Sequence, residues 1–221
     1  MKINLFKVGI ASAVPAFFFL SDRILRLTKY REIPEKAFHE TYRLTEEEIG
    51  LLRNGDIILR RGHGFVSSVI NELFHTGYNL SHCALLYNDK GKWKVIHSVS
   101  SELSETDGVQ SETLEKFVRE SVPGSLIVVR LSQPNLDPEE PIKFAKQYLE
   151  RRIPFDNRFD LKDTSKIYCT ELIYLAYLRA FGKDLFAKRL TSDHPEFLSL
   201  SAFLDSTLFQ VVINHQINTG R

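Results

Sequence analysis

Cysteine is scarce in this chain, with Cys83 and Cys169 the only two among 221 residues. Two are too few for a disulfide framework, and no Cys-x-x-Cys pair offers the compact spacing of a structural zinc site. Low-complexity tracts and repeats of solenoid length are also missing, which excludes repeat arrays and points to one ordinary globular domain. Hydrophobic residues make up 43% and charged residues 26%, enough for a real core at this length. No basic stripe runs through the body of the chain. Residues 1–31 carry six Lys or Arg against one Asp, so the remainder sums to −4 although the net charge is +1. Nucleic acid is therefore not an expected partner.

Long apolar runs are missing as well. Val8–Leu20 has 13 residues and contains Pro15, short of the roughly 20 that a spanning helix needs. With Lys2 and Lys7 ahead of it, the run resembles the n- and h-regions of a secretory signal. We expect residues 1–31 to be a signal or membrane-anchor segment and residues 40–221 to form a single domain. That places the protein in the cell envelope, exported or membrane-anchored on the periplasmic side.

Local signals then divide the domain. Thr45 and Glu48 form a capping box, predicting a short helix to Arg53. Asn54-Gly55 marks a turn before a buried strand at 56–60, where Asp56 is expected to bond a loop backbone. A helix is predicted over 65–76. Strands at 81–87 and 92–99 are joined by "NDKG", a hairpin connection. Further on come a helix at 112–120, a strand at 125–131 and an amphipathic helix at 139–153. An irregular stretch then leads to a helix whose apolar residues are Cys169, Leu172, Ile173, Ala176, Tyr177 and Ala180, stopped by Gly182. A short helix and a last strand close an α+β chain with an antiparallel sheet.

Cys169 lies in the first turn of that helix, where unpaired N–H groups and the helix dipole favour a thiolate. A thiol nucleophile needs a base, and among seven histidines only His82 and His97 fall in predicted strands. If residues 88–91 form the hairpin loop, Tyr87 pairs with Lys92 and His82 lies opposite His97. Paired residues share a face, so the two rings can hydrogen-bond. Alternation turns Cys83 the other way, which predicts buried packing for Cys83 and excludes a Cys83–Cys169 disulfide. Blander readings make Cys169 a small buried hydrophobe and both histidines structural. A zinc site could also be built from Cys169, His82 and His97, with His75 or Asp56 as a fourth ligand.

The ordered set "NGDIIL", "SHCALLY", "VIHSV" and "YCTELIYLAY" resembles the circularly permuted papain-fold hydrolases of the YiiX-like group. These are relatives of NlpC-type cell-wall peptidases and, more distantly, of lecithin:retinol acyltransferase. The resemblance covers about residues 50–182. It implies a permuted papain-like fold with Cys169 as nucleophile, His82 as base and His97 as the third polar residue, where many relatives have Glu. The backbone N–H of Cys169 would form part of an oxyanion hole, with the Tyr168 hydroxyl a further candidate. The implied activity is hydrolysis or transfer at an amide or ester through a thioester, with no cofactor and no metal. An envelope substrate follows from the N-terminus, either a peptidoglycan peptide or a lipid acyl group. Two competing readings are a non-catalytic binding module on the same fold, favoured by the His97 departure, and a zinc-dependent hydrolase.

Overall fold

The computed structural model describes residues 42–73, 77–101, 103–188 and 197–216. The 1–31 segment, His39, His75 and His194 lie outside the described residues. Six strands form one sheet: β1 (Ile57–Arg60), β2 (His82–Asp89), β3 (Lys92–Val99), β4 (Gly108–Thr113), β5 (Ile127–Leu131) and β6 (Phe209–Asn214). Their order is β4-β3-β2-β1-β5-β6, with every neighbouring pair antiparallel. The helices are α1 (Glu46–Leu51), α2 (Gly64–Leu73), α3 (Leu114–Arg119), α4 (Glu140–Glu150) and α5 (Cys169–Phe181), with a 3₁₀ turn at Leu200–Leu204. This is the α+β architecture that the sequence predicts.

Strand alternation sorts the core into two layers. Ile57, Leu59, Cys83, Leu85, Ile96, Ile127 and Val129 face α4 and α5, meeting Ile142, Ala145, Leu172, Ile173 and Ala176. Ile58, Ala84, Leu86, Val95 and Val128 face the other way, against Leu44, Leu52 and the Leu114, Phe117 and Val118 of α3. Buried on both faces, β1 has all four residues inaccessible.

The hairpin differs from its expected form. The connection is two residues, Lys90 (φ 53°) and Gly91 (φ 86°), both left-handed as a type I′ turn requires. Asn88 accepts the Gly91 N–H at 2.8 Å and Asp89 pairs with Lys94 at 2.8 Å, so both strands run to the turn. Asp89 therefore pairs with Lys92 and Leu85 with Ile96. This register lies two residues from the expected one. A shift of two keeps every side chain on its predicted face, whereas a shift of one would have reversed them all.

The helix expected at 112–120 starts later. Thr113 caps α3 by accepting the Lys116 N–H at 3.2 Å, and the residues before it form β4. This edge strand is polar (Gln110, Ser111, Glu112), so it lacks the apolar alternation that would announce it. Gly108 opens it at φ 83°, where an added Cβ would sit 2.1 Å from the Ile153 carbonyl.

Asp56 is structural, as expected. Fully buried, its carboxylate accepts the Arg53 N–H at 2.8 Å and two bonds of 2.7 Å from Arg130. Breaking such a pair strands a buried charge, so Asp56→Ala should lower unfolding free energy by about 3–5 kcal/mol in urea denaturation.

Candidate active site

Cys169 is the first residue of α5, and its surroundings fix where that helix begins. Ser98 on β3 donates to the Ile167 carbonyl at 2.5 Å, and the Tyr168 N–H donates to Glu171 at 3.2 Å. The helix ends at Gly182 (φ 64°), as its sequence predicts. Cys169 is 9% exposed.

Cys83 packs in the same core layer as Cys169. Both thiols are free, and Cys83 is the largest influence on the Cys169 thiol. The Cys83 S–H lowers the Cys169 thiol below its ordinary value, against the effect of burial, and backbone N–H groups of Cys83, Thr170 and Cys169 add to the lowering. Burial pushes the Cys83 thiol well up, and the Cys169 contact pushes it further. Cys169 is thus the more acidic of the two thiols.

Cys83 is buried and both cysteines are free, as expected, but the expectation that Cys83 is packing alone, turned away from Cys169, is corrected by their shared layer. Alternation does turn Cys83 away from His82. The layer in which α5 lies is what differs: it packs on the Cys83 face of the sheet. Strand alternation says which residues share a face, not which face a later helix covers.

His82 and His97 are brought together as predicted, though diagonally, because His97 lies one step beyond the Leu85–Ile96 pair. His82 Nε2 and His97 Nδ1 are 2.8 Å apart. Both rings pack on Phe117 of α3, at 5.9 and 5.5 Å between centroids. The Arg60 guanidinium lies 4.0 Å from the Phe117 ring centroid and donates to the Phe117 carbonyl. Burial holds the His82 imidazole well below its usual range, with His97 and Arg60 adding to this. His97 is lowered in the same way by burial, Arg60 and Lys116. Both rings are therefore neutral at pH 7. Among the described residues no hydrogen bond joins this pair to Cys169. The two pairs lie on opposite faces at the start of β2, linked by the peptide bond between His82 and Cys83.

Tyr168 is 1% exposed, and its hydroxyl accepts the Leu198 N–H at 3.0 Å. Its ring stacks on Phe197 at 5.6 Å. The structure therefore holds this side chain as packing at the helix start. Glu171 escaped the sequence reading, although a Glu three residues after an N-cap is a recognisable capping signal. It is fully buried, its Oε1 has no hydrogen-bond partner, and burial beside Asp156, Asp163 and Asp160 raises its carboxyl to about 8. Neutral at pH 7, it puts no charge against the neighbouring Cys169 thiol.

Among the described residues no three His, Cys, Asp or Glu side chains converge to hold a metal ion. Nor is any described helix long and apolar enough to cross a membrane.

Residues 51–196 match the model of a family of permuted papain-like amidases, YaeF/YiiX, C92. Among solved structures, the crystal structure of metalloprotein yiiX from Escherichia coli O157:H7 is similar, with a TM-score of 0.59 and 20% identity. The match covers 75% of this chain and 98% of that one, and at this identity it concerns the fold. Comparison with the curated proteins finds no match.

Two outcomes follow from the site. Cys83→Ala removes the donor, so alkylation of Cys169 by iodoacetamide at pH 6 should slow several-fold while the rate at high pH is kept. Glu171 binds its proton more tightly folded than unfolded, so stability should fall as pH rises from about 4.3 to about 8. Thermal unfolding across that range should show this slope, and Glu171→Gln should flatten it.

Proposed function

This chain belongs to the permuted papain-like amidases of the YaeF/YiiX family, enzymes of cysteine-hydrolase character, and we propose that Cys169 attacks an amide or ester carbonyl. The observation that carries this reading is the thiol itself, first in a 13-residue helix and lowered by the Cys83 S–H and by backbone N–H groups. Attack forms a C–S bond and an oxyanion, which the N–H of Cys169 is placed to receive at the open end of the helix. Collapse expels the amine or alcohol and leaves a thioester, which water then hydrolyses.

The proposed base is His82. It is the first residue of β2, partly exposed, and adjacent in sequence to Cys83, which shares a core layer with the thiol. Its Nε2 is engaged by His97, which leaves Nδ1 to take the thiol proton and return it to the leaving group. In the structure its ring is turned to the α3 side, so its reach to the thiol is the feature under test. His97 acts through His82, in place of the carboxylate common among relatives.

For substrate we propose an envelope amide or ester, a peptidoglycan peptide or a lipid acyl group. The support is the basic, apolar segment at residues 1–31. Screening purified enzyme against muropeptides and phospholipids separates the two.

Cys169→Ala should reduce turnover to background. His82→Ala should lower the rate by about 10²–10⁴-fold, and His97→Ala by less. Mass spectrometry after limited alkylation at pH 6 should find the label on Cys169. Dominant labelling of Cys83 would defeat the assignment.

A further inference from the structure

A buried carboxylate stands behind His97. The Glu112 side chain on β4 is 9% exposed, and its Oε1 lies 3.5 Å from His97 Nε2, itself on a side chain 3% exposed. Neither atom has a hydrogen-bond partner, and each is the other's contact across 3.5 Å. The other carboxylate oxygen is held by Lys116 at 3.0 Å. Register explains the approach, since His97 pairs with Gln110 and Val95 with Glu112. Glu112 is thus diagonal to His97 on the same face, as His97 is to His82.

We infer that Glu112 is a positioning residue that fixes the tautomers of His97 and His82. This rests on the proposed roles of Cys169 and His82. A carboxylate only accepts, so it selects the His97 tautomer with hydrogen on Nε2. His97 Nδ1 is then bare and must accept from His82 Nε2–H. That in turn leaves His82 Nδ1 bare, the form a base requires. When His82 takes the thiol proton, the new positive charge is one hydrogen bond and one 3.5 Å ionic contact from the Glu112 carboxylate, and no further proton need move. The carboxylate that relatives place one step from the base is here supplied one strand further out.

The charged and titratable groups around His97 are Arg60 of β1, His82 of β2, Glu112 of β4, Lys116 of α3 and Glu120 just after it. The cations disfavour imidazolium, so Glu112 is the group that opposes them.

The test uses Glu112→Gln in the full chain, because glutamine keeps the shape and can satisfy either tautomer. Ring-nitrogen NMR should show His97 protonated at Nε2 in the parent and a mixture or the Nδ1 form in the variant. The Cys169 alkylation rate at pH 6 should fall about tenfold, one unit of thiol pKa, while the high-pH plateau is unchanged. Glu112→Asp should recover part of this, and Lys116→Met should leave the tautomer as in the parent. A merely structural ion pair predicts instead that Lys116→Met mimics Glu112→Gln. The same His97 tautomer in parent and Glu112→Gln would overturn the inference whatever the nucleophile does. A tautomer that follows Glu112 while alkylation ignores His82→Ala would uphold it and defeat the base assignment.

Discussion

His82 and Cys83 are neighbours in a strand covered on both faces, and the rest of the site depends on that adjacency. Successive side chains must point to opposite layers. One step along β2 therefore separates a pair of thiols under α5 from a pair of imidazoles under α3. Both residues are paired to β1, His82 with Arg60 and Cys83 with Leu59, which holds their alternation. The two chemistries lie on opposite faces of β2, whose first residue is His82.

What the sequence made legible follows how local each signal is. The Thr45–Glu48 capping box and the Asn54-Gly55 turn are closed within a few residues, and the structure shows both. Asp56 was readable as a loop-bonding residue, but Arg130, its partner 74 positions away, was not. The histidine pair was read correctly in kind and incorrectly in register. Parity survives an even slip, so the shared face held while the directly opposed pair became a diagonal one. A hydrogen bond of 2.8 Å still forms because imidazole is long enough to bridge the diagonal.

The illegible parts are those set by packing between distant elements. Nothing in "SHCALLY" says which layer a helix 80 residues later will cover. The placement of Cys169 against Cys83 follows from docking, through contacts such as Ser98 with Ile167 and Thr170 with Leu198. Likewise "GVQSET" looks like a loop or a helix start. Its strand character comes from pairing with β3 at the sheet edge, where a polar face is tolerated beside a polar site. Glu112 has no meaning until that pairing places it behind His97.

The charge distribution of the site has a single logic. Burial disfavours ions, and the groups without a full partner respond by staying neutral: both histidines are held low and Glu171 is held high. The thiol moves the other way because its stabilisation comes from neutral dipoles, the Cys83 S–H and the amides of a helix start. Such dipoles cost little to bury and do not titrate near neutral pH. A thiol lowered by them needs no imidazolium beside it, and both imidazoles are held neutral. That division suits the proposed base, one residue from Cys83 on the opposite face, better than a tight ion pair would. An ion pair needs contact to repay its desolvation, whereas a proton acceptor needs only a bare nitrogen and momentary reach.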